Sequence, residues 1–275
     1  MVSDKTEKEL AFLYDLYVAT DWGERFAGLV DEHVKMPKRG RSLYVAAGTG
    51  GHALALKERG GEEFSLAGVD ESGERVEIAR AKAAALKALG RVEFHSAQLE
   101  ALAFEDDQFD LVIGDLSLVV PERLPEILAE MVRVTAPGGT IALSVITASS
   151  FGEFFSVYWE AIINAGLMEQ GGVVEALINE LPTVSDVENM AKRETLDEVQ
   201  SWTRVEEFNF ASAEEFLSAP LVRDFLSGRW LDPLPDEAAR VAVWREVERI
   251  IDDERQGGDF PLSIKATLVI GRKTE

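Results

Sequence analysis

The sequence predicts an α/β protein, a doubly wound and mostly parallel sheet with helices on both faces. Three observations carry this. Short apolar runs alternate with helix-patterned segments from residue 41 to about 147. A glycine turn joins the first run directly to a helix, and Asp70 stands where the second run ends. Open α/β sheets bind ligands in the crevice at the carboxyl ends of their strands, where an acid commonly holds ribose hydroxyls. Arg41 to Asp70 therefore reads as the site of a nucleoside-bearing cofactor.

The elements follow in order. Leu10, Leu13, Tyr14 and Tyr17, then Trp22, Phe26, Leu29, Val30 and Val34, recur at helical spacing and predict two helices broken near Thr20-Asp21. Leu43 to Ala47 is an apolar strand that enters the turn Gly48-Thr-Gly-Gly51. His52-Ala-Leu-Ala-Leu56 opens a helix, with His52 at its exposed start, and Gly60-Gly61 ends it. Phe64 to Val69 is the second strand. Ser72 to Leu89 is an alanine-rich helix with Val76, Ala79, Ala83 and Leu86 on one face, closed by Gly90. Val92 to Phe94 and Phe109 to Asp115 are the next two strands. Helix Glu122 to Val134 tolerates Pro125 in its first turn and stops at Ala136-Pro-Gly-Gly139, and Thr140 to Ile146 is the fifth strand. Right-handed crossovers set the hand of this sheet.

Beyond Thr147 the pattern changes. Phe151 to Ala165 is an aromatic-rich helix, whose stripe from Phe151 to Trp159 reads as packing, and Ser185 to Lys192 is another helix. Thr203 to Phe210 and Leu262 to Gly271 are strands. Between them Ser212 to Asp253 is mostly helical, interrupted at Leu231-Asp-Pro-Leu-Pro235.

Composition narrows the chemistry. Twenty-eight basic against fifty acidic residues leave a net charge of −22 in 275 residues, which repels phosphate backbones and anionic lipid surfaces. Neither nucleic acid nor a membrane is an expected partner. No run approaches the ~18 apolar residues of a membrane helix and no signal-peptide pattern opens the chain, so a cytoplasmic location is expected. Without cysteine, disulfides, zinc–thiolate sites and cysteine nucleophiles are excluded. His33, His52 and His95 are too scattered for a short metal motif, and no metal is expected. HExxH, GxSxG and P-loop motifs are absent from the sequence.

The glycines of the turn let backbone approach a ligand closely and open a helix with an electropositive N-terminus. Two cofactor classes share this geometry. Gly48-x-Gly50-x-x-Ala53, with an acid about twenty residues on, fits a dinucleotide fingerprint. Against that reading, the chain has no Tyr-x-x-x-Lys pair and no histidine in its C-terminal half.

Four segments in register point to the other class. LYVAAGTGGHALALKERG, AGVDESGERVEIARAKA, FHSAQLEALAFEDDQFDLVIGD and EMVRVTAPGGTIALSVI resemble successive motifs of the class I S-adenosylmethionine-dependent methyltransferases that act on small molecules. The resemblance implies the seven-stranded Rossmann-like fold with an antiparallel closing strand and a helical lid insertion. It implies a cofactor site in which the loop Ala46, Ala47, Gly48, Thr49 and Gly50 cradles the methionine part and Asp70 and Glu71 take the ribose. Gln98 and Leu99 would bracket the adenine, and Asp115 and Leu116 would floor the site near the sulfonium. Tyr44 stands where the family usually has an acid, Ala46 where it has the first loop glycine, and Gln98 where it has an aspartate. Val119-Val120 follow the fourth strand where many relatives carry histidines, so no general base is offered there.

The implied layout is an N-terminal helical cover over 1–40, a cofactor-binding core over 41–147, a lid and substrate region over 148–262 that includes a strand near 203–210, and a final strand over 263–275. Tyr14, Tyr17 and Trp22 either close over the cofactor or pack. The expected function is methyl transfer from S-adenosylmethionine to a small, apolar or aromatic acceptor, by a monomer or homodimer. A fold kept for binding without turnover and a nicotinamide-dependent oxidoreductase are the alternatives.

Overall fold

The structure is a computed structural model that describes residues 5–88, 91–255 and 258–274. It divides into two compact units, one of Lys5–Ile146, Thr183–Arg204 and Ala266–Glu275, the other of Thr147–Pro182 and Val205–Lys265.

The first unit is built on the sheet. Strands β1 (Arg39–Val45), β2 (Glu63–Asp70), β3 (Val92–Ser96), β4 (Phe109–Asp115), β5 (Thr135–Thr147), β6 (Leu196–Phe210) and β7 (Phe260–Lys273) lie in the order β3-β2-β1-β4-β5-β7-β6. The first five are parallel, with Leu43 opposite Ala67 and Val112. β7 runs against its neighbours: Arg272 donates to the Gly138 carbonyl near the start of β5. Thr203 in β6 meets Thr267 at 3.0 Å, while Leu196 lies at Gly271. The doubly wound sheet with an antiparallel closing strand is the predicted architecture.

Buried apolar runs explain the central strands. Leu43, Val45, Val112, Ile141 and Leu143 join Ile127, Leu128 and Met131 of α5 (Leu124–Val134) in one core. At ~25 cal/mol per Å2 of buried apolar surface, such a core dominates folding. Helix α4 (Gly73–Ala85) starts where the Ser72 side chain accepts the Arg75 amide. It stops earlier than the sequence suggests, since Leu86 caps it and Lys87 turns to φ +57°; Leu89 and Gly90 lie outside the described residues.

Three further expectations change. No break occurs near Thr20-Asp21: α1 (Glu7–Leu13) widens to π-type bonding over Tyr14–Gly23 and continues into α2 (Glu24–His33). Thr20 returns its hydroxyl to the Leu16 carbonyl and Asp21 pairs with Arg25, so two polar residues sit on the helix instead of ending it. Ala136-Pro-Gly-Gly139 does not lie outside the strand. β5 begins at Thr135 and absorbs these residues as an irregularity opposite β4, with Gly138 at φ +72°. β6 begins at Leu196, seven residues before Thr203, because sheet pairing recruits a segment whose polar alternation alone was weak.

The second unit is mostly helical and includes the end of β6 and the start of β7. α6 (Gly152–Asn164), α7 (Gly172–Glu180), α9 (Ala213–Ser218), α10 (Ser227–Leu231) and α11 (Glu237–Arg255) belong to it, whereas α3 (Gly51–Arg59) and α8 (Val184–Arg193) lie with the sheet. The aromatic stripe of α6 packs as expected. Phe154 stacks on Trp230 at 4.0 Å and on Tyr158 at 5.3 Å, and Tyr158 donates its hydroxyl to the Trp230 carbonyl at 2.6 Å. Among the described residues no helix is long and apolar enough to cross a membrane.

Candidate functional site

The glycine turn takes the shape its residues permit. Gly48 and Gly50 stand at φ +55° and +77°, and Ala46 at +55° is a non-glycine residue in the same left-handed region. A Cβ on Gly50 would sit 2.8 Å from Ala79 Cβ and the Phe94 ring. The Ala47 amide donates to the Val69 carbonyl at 2.8 Å and the Gly50 amide to the Ala47 carbonyl at 2.9 Å, which closes the turn onto the end of β2. α3 then begins at Gly51, so its first amides open beside the loop.

Asp70 locks this arrangement. Its carboxylate, 3% exposed, accepts the Gly48 amide at 2.8 Å and the Ser72 amide at 3.0 Å, and pairs with Arg75 at 3.3 Å. Arg75 also lies 4.8 Å over the Tyr14 ring, and that ring covers Gly48, where a Cβ would meet it at 2.6 Å. Of the aromatics in the N-terminal helices, Tyr14 reaches the loop. Tyr17 is exposed, and Trp22 is buried with its indole N–H donating to Ser117 Oγ at 2.9 Å.

A cavity of about 440 Å3 opens beside the loop, within the ~300–1,000 Å3 range of small-molecule sites. Ala46, Ala47, Thr49, Tyr44, His52 and Asp115 line it, together with residues of α2 and the π-type segment. Burial, opposed by hydrogen bonds from Ser117, raises the Asp115 carboxyl above its ordinary range. Burial also pushes the Tyr44 phenol well above its ordinary value, with the charge of Asp115 adding to it. Lys82 pairs with Asp15, which also accepts from Thr49 at 2.5 Å.

The remaining expected positions lie apart from this cavity wall. Glu71 is engaged by Arg123 at 2.6 Å, in a network that also holds Glu100. Gln98 is exposed after β3, while Leu99 and Leu116 are buried in the sheet core. His95 is partly exposed beside Glu93. His52 departs from the expected exposed helix start. Its side chain is 15% exposed, Nδ1 meets the Tyr44 hydroxyl at 2.9 Å, and Nε2 meets Asp31 at 3.1 Å. Asp31 and Lys82 escaped the sequence because helices far apart in the chain deliver them; no local pattern marks either.

The left-handed loop, the start of α3 and Asp115 give this cavity polar groups suited to a methionine-like arm, whereas Asp70, Glu71 and Gln98 do not line it.

Comparison with known proteins agrees with the sheet. A methyltransferase domain profile matches residues 43–139. The ubiquinone/menaquinone biosynthesis C-methyltransferase UbiE of Geotalea daltonii is 34% identical over 125 residues, 46% of this chain and 53% of that protein. The demethylmenaquinone methyltransferase of Bacillus cereus is 29% identical over 183 residues, 63% of this chain and 75% of that protein. The chain spans little more than half the length of the ubiquinone/menaquinone and demethylmenaquinone methyltransferases it matches at 32–36% identity. Among solved structures, YcgJ of Bacillus subtilis superimposes with a TM-score of 0.59 at 18% identity, over 92% of this chain and 99% of that one. The matched profile makes residues 43–139 similar to a methyltransferase domain, and the seven-stranded sheet with its antiparallel closing strand is the Rossmann-like methyltransferase fold.

Proposed function

We propose that the protein transfers a methyl group from S-adenosylmethionine to a small apolar or aromatic molecule. The cavity beside the Gly48–Gly50 turn carries this reading, because it joins the loop, the start of α3 and Asp115 in one recess. The relatives named as quinone-pathway methyltransferases support an apolar aromatic acceptor.

Bound S-adenosylmethionine supplies an electrophilic methyl group. The chain's own residues bind, orient and exclude water, which is the larger part of catalysis for an in-line displacement. Ala46, Ala47, Gly48, Thr49 and Gly50 hold the methionine arm by backbone. Asp70 and Glu71 take the ribose hydroxyls, the contact of Asp70 with Arg75 giving way to them. Gln98 accepts from the adenine amino group through its amide oxygen, and Leu99 packs on the ring. Asp115 and Leu116 form the floor. The protein acts in the cytoplasm as a monomer or homodimer.

Calorimetric titration of the full chain with S-adenosylmethionine, S-adenosylhomocysteine and NADH tests the cofactor. Transfer of a labelled methyl group to a short-chain demethylmenaquinol tests the acceptor class. Binding of the first two ligands with label in the quinol is expected. Binding of NADH alone would overturn the assignment, and cofactor binding with no transfer to any of a panel of phenols and quinols would favour a fold kept for binding.

A further inference from the structure

Tyr44, His52 and Asp31 form a chain that leads from the cavity wall to solvent. Tyr44 lies one residue before the end of β1, His52 stands in the first turn of α3, and Asp31 comes from α2. The phenol oxygen lies 2.9 Å from His52 Nδ1, and Nε2 lies 3.1 Å from Asp31 Oδ1. All three line the same cavity. Arg59 pairs with Asp31 on the far side and holds it in place. The order of groups is that of a nucleophile or proton donor, an imidazole and an orienting carboxylate.

The partners assign the protons. A carboxylate only accepts, so Nε2 carries the hydrogen toward Asp31 and Nδ1 is left as an acceptor for the Tyr44 O–H. A phenol that donates to Nδ1 keeps acceptor capacity on its oxygen, and Tyr44 presents that oxygen at a wall shared with Asp115. Tyr44 itself is 4% exposed. Exposure rises along the chain, to 15% for the His52 side chain and 42% for Asp31, so charge is handed outward to water.

We propose that Tyr44, His52 and Asp31 are a proton relay that removes the hydroxyl proton of the methyl acceptor, which assigns the acceptor to phenols or hydroquinones. The inference rests on the methyltransferase reading above. As the bond from methyl to the acceptor's hydroxyl oxygen forms and the bond from methyl to sulfur breaks, the electron pair of the broken bond stays on sulfur. The acceptor's O–H proton moves to the Tyr44 oxygen, and the phenol's own proton moves to His52 Nδ1. Tyr44 stays neutral, as its burial requires. The imidazolium is balanced by Asp31, and the Nε2 proton passes to solvent. Tyr44 is the catalytic residue; His52 and Asp31 act through it. An acceptor that is methylated without losing a proton has no use for this chain.

The groups that face His52 are the Tyr44 hydroxyl from β1, Asp31 from α2, Arg59 from its own helix and Asp115 from β4. Tyr14, Asp15, Glu24 and Lys82 line the same cavity. Protonation of the imidazole before the acceptor binds would block the relay. The rate therefore falls toward acid pH, and substitution of His52 removes that limb.

Two measurements on the full chain decide the matter. Nitrogen-15 histidine spectra of the free protein should show neutral His52 as the Nε2–H tautomer, with its Nδ1 resonance shifted in Tyr44→Phe; an Nδ1–H tautomer would overturn the relay. With S-adenosylmethionine and short-chain demethylmenaquinol, His52→Gln should lower kcat by roughly 100-fold or more and flatten the acid limb. Its calorimetric affinity for S-adenosylmethionine should stay within about threefold, a margin small beside the loss in kcat. A His52→Gln protein that keeps the wild-type rate and limb refutes the proposal. If the wild-type chain does not bind S-adenosylmethionine, the functional reading fails, and the histidine spectra still decide whether the relay exists.

Discussion

Asp70→Asn separates two roles that a carboxylate at the end of β2 could hold. The substitution keeps the volume of the side chain and removes its charge. One amide oxygen can still accept from Ser72, but the other position becomes an N–H donor facing the Gly48 amide, now 2.8 Å from a carboxylate oxygen. A charge-assisted hydrogen bond contributes ~1.5–3 kcal/mol, and a buried donor left without an acceptor costs ~1–3 kcal/mol. These overlap, and the 3% exposure of Asp70 leaves little room for water to compensate. A net loss of about 2–3 kcal/mol follows, or roughly 4–12 °C in Tm for a unit of this size. Urea denaturation followed by tryptophan fluorescence, with and without S-adenosylmethionine, measures it. If Asp70→Asn weakens ligand binding while the stability of the free protein is unchanged, Asp70 acts by ligand contact and does not anchor the loop.

Gly50→Ala should destabilise by about 2–4 kcal/mol, since φ +77° strains a Cβ and Ala79 and Phe94 already fill its place; a thermal melt equal to wild type would refute the packing. Phe154→Ala should cost about 3–5 kcal/mol by opening a void beneath Trp230, and Tyr158→Phe about 1 kcal/mol for the hydroxyl bond to the Trp230 carbonyl, both read from chemical denaturation. Asp115 gives a pH signature. Its folded carboxyl is raised by burial, so it favours the fold while protonated and that contribution is lost as pH rises from the ordinary carboxylate value through the folded one. Asp115→Asn should therefore match wild type in strong acid and exceed its stability at neutral pH; equal stability at both would show that Asp115 is not desolvated.

The parallel core was legible because its determinants are local. Apolar runs, the Gly48–Gly51 turn and Asp70 at a strand end each write their structure within a few residues, and the alternation of strands and helices leaves few topologies. The stripe of α6 was legible for the same reason. Where a polar pair interrupts a helix the reading failed, since Thr20 and Asp21 found partners one turn back and one turn ahead on the same helix. β6 was longer than its alternation suggested because strand length is set by the neighbour it pairs with.

The sequence by itself determined the parallel sheet and the glycine turn, both consequences of short-range periodicity and backbone freedom. Only the tertiary structure decided what Asp70 touches, where Tyr14 rests and that His52 turns inward between Tyr44 and Asp31. Those contacts join residues up to 34 positions apart around the loop, as between Asp15 and Thr49. Hydrogen-bond geometry of that kind depends on the positions of whole helices, which packing of the core fixes and no local pattern records.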